Sequence, residues 1–304
     1  MGKPSQWVVT GVDQSEWVIV GKGQGAQGVE MSISPQGAYD ADITSIWNST
    51  AFQDGATPGG FRTNKRDVVF TVNIFPIAGM SWQAVESAWR RAWAYDTDST
   101  LSITTETGTR SLACRLSQAP LTQPVKDPRL NELSKMTMTV TAGIPWWTEP
   151  DTTVNWVSPS NTLAGTSTQI GIVYAENPTD IPMYLEWQLS APGQWTLPDF
   201  SFGFDYNNGP GSGAANVDRV ITLPYSAAGQ DLTIDADPSH EMIVSAAGIN
   251  GPNFWALMNG VSFLYPVPPF TPSTPFQVAV TLAPAGASLM CVQHRNFSRP
   301  WGPT

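Results

Sequence analysis

The sequence is poor in charge. Asp, Glu, Lys and Arg make up 13% of its 304 residues, against ~25% in typical soluble proteins. The charges present are mainly acidic, with a formal net charge of −10. A protein that binds a nucleic-acid phosphate backbone needs basic patches, so this acidic net charge argues against nucleic-acid binding. Because a free monomer needs charge for solubility, the shortage also suggests that much of the surface is buried against other subunits.

Cysteine and histidine are scarce as well, with two of each. Cys114 and Cys291 stand far apart, which does not support a disulfide framework. Zinc needs about three or four nitrogen or sulfur ligands, and these few scattered residues argue against such a site. Only His240 and His294 could serve as imidazole bases, and no Gly-x-Ser-x-Gly motif is present. We therefore expect no enzymatic activity, no cofactor and no bound metal.

Long apolar runs are also missing, so the sequence predicts no membrane-spanning helix. The first residues lack the apolar segment of a secretory signal, and synthesis in a reducing cytoplasm is the simpler expectation.

Glycine, proline and tryptophan are plentiful instead, at 26, 26 and 13 residues. Strict alternation of apolar and polar residues predicts strands at 67–74, 110–118 and 136–141. Thr107-Gly108 predicts a hairpin turn between the second of these strands and one at 101–105. At ~150 residues per domain, the length suggests about two domains.

One segment has helical character. Residues 81–95 contain neither glycine nor proline, and Ser81 can cap the helix amino terminus. At 100° per residue, Trp82, Trp89 and Trp93 share one face. Such rings bury ~150–250 Å² each and cannot remain in water. They cover either the domain's own sheet or a neighbouring subunit, and the sequence leaves both open.

A proline-rich stretch at 144–160 suggests a domain junction. We predict an amino-terminal domain over 1–150, containing the helix at 81–95, and a carboxy-terminal domain over 151–304. The second region holds many short strands separated by turn signals and no helix pattern, which is typical of an antiparallel β-sandwich or jelly roll. The fold class is therefore mainly β.

Sequence patterns for cofactor, metal and sugar binding are weaker. Residues 23–28 match the dinucleotide fingerprint, but a strand pattern follows where a helix is required, so we interpret them as a loop. Acid pairs, such as Asp235 with Asp237, could hold calcium or serve a glycosidase, although acidic turns are common for capping reasons. Trp195 and Trp255 could stack on sugars in a lectin-like site, or could be core residues.

A family resemblance rests on the following segments: Asn177–Pro182 opening a strand, Asp231–Asp235, the turns at Asn250-Gly251 and Asn259-Gly260, Phe297–Trp301, and Ile144–Trp147 closing the first half. In these features the chain resembles distal tail proteins of long-tailed, non-contractile bacteriophages. The abundance of tryptophan is similar to that of minor tail proteins from phages of actinobacteria.

The resemblance implies a structural virion protein of the tail tip, made in the host cytoplasm. Its amino-terminal domain would form a ring, usually hexameric, that joins the tail tube protein to a tip or baseplate hub protein. The carboxy-terminal domain would be a galectin-like sandwich that contacts receptor-binding parts or, as the alternative function, binds host cell-wall glycans. DNA would pass through the acidic lumen without binding.

By type rather than by motif, the resemblance makes five helix residues candidates for the ring interface: Trp82, Val85, Arg90, Arg91 and Trp93. The loop at 21–28 and the stretch at 47–65 are candidate inter-subunit loops.

Overall fold

The computed structural model of the chain describes residues 4–122, 127–205, 209–210 and 213–302. These residues form two compact units, one of 4–149 with 297–302 and one of 150–296. In the described ranges, no helix is long and apolar enough to cross a bilayer.

The first unit is an antiparallel sheet with one substantial helix. Its elements are β1 (Gln6–Thr10), β2 (Glu16–Val20), β3 (Val29–Gln36), β4 (Ile43–Asn48), β5 (Thr57–Thr63), β6 (Arg66–Ile74), α1 (Trp82–Arg91), β7 (Ser99–Thr105), β8 (Gly108–Leu116), β9 (Leu121–Thr122), α2 (Pro128–Asn131) and β10 (Ser134–Ala142).

Strand pairing in this unit follows the order β2-β1-β7-β8-β10-β6-β3, with β9 at the end of β10. Alternate residues of β6 and β10 are buried, as their sequence pattern predicts. Thr105 pairs with Gly108, which confirms the predicted hairpin turn. The glycine-rich residues 23–28 form turns that lead into β3, as expected for a loop.

The second unit contains two antiparallel sheets. Its elements are β12 (Gln169–Asn177), β13 (Leu185–Leu189), β14 (Gln194–Pro198), β15 (Phe204–Asp205), β16 (Gly209–Pro210), β17 (Val220–Thr222), β18 (Leu232–Asp235), β19 (Ile243–Ser245), α3 (Phe254–Leu257) and β20 (Thr271–Thr281). Two further strands, β11 (Trp147–Val157) and β21 (Ser288–Phe297), begin or end in the first unit.

One sheet of the second unit has the order β19-β18-β13-β21-β11, and the other has the order β12-β20-β14-β17. Both contribute to one core, in which Trp187 and Trp195 are fully buried. The predicted mainly β fold class is confirmed.

Helix α1 is shorter than the predicted 81–95. Ser81 caps it as expected, its Oγ accepting the Ala84 amide at 3.3 Å. The helix ends at Arg91 because the carbonyl of Ala92 is taken by other partners: it accepts the Val12 amide at 2.9 Å and the Ser99 hydroxyl at 2.8 Å. Trp93 and the residues after it leave the helical path.

Most of the stretch at 144–160, predicted as a domain junction, forms the strand β11, and the boundary between the two units falls within it, after Glu149. The last described residues, 297–302, belong to the first unit, although the sequence placed them in the second domain. Phe297 is buried in the first unit's core and lies under the Arg110 guanidinium, 3.4 Å from ring centroid to Cζ. Arg110 also donates to the carbonyls of Arg299 and Gly302.

Arg66 also binds the segment 297–302, through the carbonyl of Ser298. It is 1% exposed and donates to four carbonyls, those of Gly37, Ala38, Pro145 and Ser298, at 2.6–3.2 Å. Burial lowers the pKa of its guanidinium to about 10, which still leaves it charged at neutral pH.

Candidate self-association surface

Helix α1 directs its tryptophans into its own unit. Trp89 packs edge-on against Trp17 and Trp93, with ring centroids 5.4 and 5.6 Å apart. Trp93 also contacts Phe70 at 6.1 Å. Each T-shaped pair adds about 0.5–1.5 kcal/mol beyond area burial. Of the two alternatives left by the sequence, covering the domain's own sheet is the one that the structure contains.

The five candidate interface residues of this helix therefore separate into two groups. Val85 and Trp93 are core residues, 0% and 5% exposed, and a neighbouring subunit could not reach them in this fold. Trp82 is half-buried and donates its indole N–H to the Ser134 hydroxyl at 3.0 Å. Arg90 and Arg91 are exposed, and Arg90 pairs with Glu86 one turn earlier. Of the five residues, only the two arginines are exposed, and 42% of the Arg90 side chain is open to solvent.

A more prominent surface lies in a hairpin formed by residues 42–64, which we call the arm. Its strands β4 and β5 pair with each other and form a separate two-stranded sheet. Every residue of β4 is exposed. Two-stranded hairpins are at best marginally stable in water without a surface to pack against.

The arm carries five large apolar side chains that are between 46% and 107% exposed: Ile43, Ile46, Trp47, Phe52 and Phe61. Isolated exposed apolar residues are ordinary, but five of them on one short hairpin point to an interaction surface. The family resemblance made the stretch at 47–65 a candidate inter-subunit loop, without predicting its strands. It gave no indication that Ile43, Ile46 and Phe61 would share one hairpin with Trp47.

The arm is fixed at its base and its tip. At the base, the Asn64 amide N–H donates to the Asp42 carbonyl, and its side-chain NH₂ donates to the Asp42 carboxylate and the Thr44 hydroxyl, each at 2.8 Å. Near the tip, the Gln53 amide N–H donates to the Thr50 carbonyl at 3.1 Å. These hydrogen bonds hold the two ends of the hairpin, so less ordering entropy would oppose binding than for an unstructured loop of the same length.

The residues considered for other chemistry are dispersed or buried. Trp195 is 0% exposed and donates its indole N–H to the Ser190 carbonyl at 3.0 Å, so it is a core residue and cannot stack on a sugar. Trp255 lies on α3 and is 55% exposed, and glycan stacking there stays a prediction.

Among the residues that the structure describes, no three His, Cys, Asp or Glu side chains converge as metal ligands. His240 Nδ1 lies 2.7 Å from the Asp235 carboxylate. This hydrogen bond raises the pKa of the His240 imidazole, and the nearby charges of Asp235, Asp237 and Glu186 add to the shift.

Relatives of the chain were sought among known proteins by sequence. No family model matches the chain. It is 26% identical to the Minor tail protein Gp27 of Mycobacterium phage D29, with 91% of this chain and 93% of the relative aligned. The Minor tail protein Gp27 of Mycobacterium phage L5 gives the same identity and coverage.

Among solved structures, the fold is similar to the SPP1 Dit protein, which is described as a paradigm of the hub adsorption apparatus in phages that infect Gram-positive hosts. The TM-score is 0.59 at 14% identity, covering 97% of this chain and all of that one. These findings confirm the resemblance drawn from the sequence and the predicted location in the virion: the chain is similar over nearly its whole length to minor tail proteins of mycobacteriophages, and its fold is similar to that of the SPP1 Dit protein.

Proposed function

We propose that copies of this chain assemble into a closed ring, hexameric by family resemblance, which joins the tail tube to the tip of the tail. The observation that carries the proposal is the arm, a hairpin that forms its own two-stranded sheet and exposes five large apolar side chains to water. In the ring, the arm of each copy would pack on the next copy.

A ring requires a heterologous contact, in which one patch on a subunit meets a different patch on its neighbour. A projecting arm suits such a contact, because its tip and the surface that receives it are different parts of the chain. Arg90 and Arg91 remain proposed contributors, as exposed cations on the same unit. Val85 and Trp93 are not part of the proposed interface, since both are buried in the core of their own unit.

The rest of the proposed role is structural. Tail tube protein, tip or hub protein and receptor-binding parts would be the partners, and no reaction is assigned to the chain. A formal charge of −10 suits the wall of a channel that DNA must cross without adhering.

Light scattering on the purified chain tests the proposal. We expect one discrete species with a mass several times 32.8 kDa, whose contacts each bury more than ~1,000 Å². A chain that stays monomeric at the highest attainable concentration would argue strongly against the ring.

A further inference from the structure

Strand β12 lies at an edge of its sheet and is largely unprotected there. The sheet has the order β12-β20-β14-β17, so within the described ranges only β20 pairs with β12. Natural sheet edges are guarded by charge, proline, bulges or short length. Residues 169–175 contain neither charge nor proline, and Ile170, Ile172 and Tyr174 are each more than half exposed. This part of β12 is an open edge that a further strand could join.

Pairing with β20 identifies the free backbone groups of β12. Tyr174 stands opposite Pro275, which has no N–H to donate, so this is a non-hydrogen-bonded pair and the polar groups of Tyr174 point away from β20. Because peptide groups alternate along a strand, those of Ile170 and Ile172 point to the same side. The Tyr174 carbonyl already accepts a hydrogen bond from the Gln293 side-chain amide at 2.9 Å. The free row of β12 therefore consists of three N–H groups and two carbonyls.

The hydrogen bonds of the arm identify the free backbone groups of β4. At the base of the arm, the Asn64 amide donates to the Asp42 carbonyl at 2.8 Å, so these two residues form a hydrogen-bonded pair. Alternation along the strand then makes the odd-numbered residues of β4 non-hydrogen-bonded with respect to β5. Trp47, which lies beyond a bulge, stands opposite Pro58, and the missing N–H of this proline agrees with that assignment.

Strand β4 therefore has a free row that matches the row on β12. Ile43, Ser45 and Trp47 turn their polar backbone groups away from β5. The strand contains neither charge nor proline, and all of its residues are exposed. Because each of the two rows spans three alternate residues, the two strands could form one antiparallel pair.

The other edge strands of the described residues fit the arm less well. Strand β2 is already closed, since the N–H of Val18 donates to the Gln27 side chain and its carbonyl accepts the Gly25 amide. Charge and proline both occur in β3, β5 and β11. In β11, residues 152–157 are free of both, but among the large apolar residues only Val157 is exposed there. Strands β9, β15, β16, β17 and β19 have three residues or fewer.

We propose that β4 in the arm of one copy adds to the open edge of β12 in the next copy, antiparallel and with Ser45 opposite Ile172. The inference rests on the proposed ring and names the surface that receives the arm. A ring needs a contact between two different patches, and β4 with β12 is such a contact. Pairing of β4 with β4, or of β12 with β12, would need a twofold axis, which a ring with distinct faces lacks.

The side chains of the two strands are complementary in this register. Residues opposite each other in an antiparallel pair carry their side chains on the same face. Trp47 therefore lies beside Ile170, and Ile43 lies beside Tyr174, and these four side chains are each 53–60% exposed in the isolated chain. A register shifted by two residues would carry either Ile43 or Trp47 past the open edge. Addition would also join the two strands of the arm, which are marginally stable alone, to a larger sheet.

Disulfide trapping tests this inference on the purified ring. Opposite residues of a hydrogen-bonded pair have Cα atoms ~5.5 Å apart, a distance that a disulfide can span. Ser45→Cys and Ile172→Cys chains, assembled together and mildly oxidised, should give covalent dimers on a non-reducing denaturing gel, and neither variant should do so alone. The native Cys114 and Cys291 are buried and should not interfere. Ser45→Cys with Val220→Cys, 54% exposed on the short edge strand β17, is the matched control and should give no dimers.

The outcomes separate this inference from the proposed function. A ring shown by light scattering in which Ser45→Cys and Ile172→Cys do not cross-link overturns the inference and leaves the ring in place. Dimers of Ser45→Cys alone would mean that two arms pair with each other. Cross-linking of Ser45→Cys to Val157→Cys in place of Ile172→Cys would mean that the arm adds to β11, and either of these results overturns the inference too. A chain that stays monomeric would defeat the proposed function and this inference with it.

A pair of lysine variants adds an independent readout. Ile172→Lys puts a charge on the open edge, where natural sheets use lysine to prevent strand addition, and Val220→Lys is its control. Both variants should keep the melting temperature of the unaltered chain. Only Ile172→Lys should raise the dissociation constant between copies, by about tenfold or more. Equal association of the two variants would contradict the inference.

Discussion

Replacing Trp47 with alanine should weaken the association between copies and leave the fold of each copy intact. The Trp47 side chain is 60% exposed in the isolated chain. A tryptophan can bury ~150–250 Å², so packing against a neighbour would remove a further ~90–150 Å² from water. At ~25 cal/mol/Å² this contributes about 2–4 kcal/mol to each contact, as an upper estimate.

That loss corresponds to a rise of about 30- to 900-fold in the dissociation constant of one contact. Sedimentation or light scattering over a range of concentrations would measure it. The matched control is Leu130→Ala on α2, which removes a side chain that is 83% exposed but lies outside the arm. We expect the control to associate like the unaltered chain.

Two results would refute this reasoning. Association unchanged by Trp47→Ala would mean that the arm does not carry the contact. A marked fall in the melting temperature of the Trp47→Ala monomer would mean that Trp47 stabilises its own unit, because an exposed side chain that packs on nothing should leave unfolding nearly unchanged.

Three further predictions concern single sites. Arg66→Met removes the buried guanidinium and its hydrogen bonds to four carbonyls, of which that of Ala38 is buried, and should lower the free energy of unfolding by about 3–5 kcal/mol in denaturant titrations. An unchanged midpoint would contradict the role given to Arg66. Burial raises the thiol pKa of Cys114 and Cys291 to about 12, so neither should react with a thiol reagent until the chain unfolds. The His240 pKa, raised by Asp235, should fall toward its usual value in Asp235→Asn when followed by NMR. Because the pKa of His240 is higher in the folded chain, its interaction with Asp235 stabilises the fold fully below the unfolded pKa of ~6.5. This stabilisation is lost as the pH rises through the folded pKa.

Local patterns in the sequence were sufficient for much of the first unit. Alternation located β6, β8 and β10, because each has one face in the core and one face more open, and a side-chain period of two records that difference. Ser81 located the start of α1, because a cap depends only on neighbouring residues. The end of α1 depends on Val12 and Ser99, which are remote in the sequence, and no local pattern contains it.

The candidate site was less accessible to sequence analysis for the same reason. Trp195 and Trp255 look alike as residue types, yet one is fully buried and the other is more than half exposed, because only tertiary packing separates them. The arm lacks a clean alternation, since apolar side chains occur on both of its strands and no core sorts them into an inner and an outer face. The sequence predicts many short strands in the second region, but which of them lie at the edge of a sheet is a matter of topology.

The position of Phe297 has a consequence for biosynthesis. This residue completes a hydrophobic core whose other members come from residues 7–147, all of which precede it in the sequence by the length of the second unit. Domains near the amino terminus generally fold first while a chain is being made. This unit, however, lacks the Phe297 ring, the Ser298 carbonyl that Arg66 binds and the two carbonyls that Arg110 binds until residues 297–302 have been made. A ribosome that stops before residue 297 would release a chain whose first unit has an incomplete core. Such truncated chains should therefore be poorly incorporated into a growing particle and should seldom block its assembly.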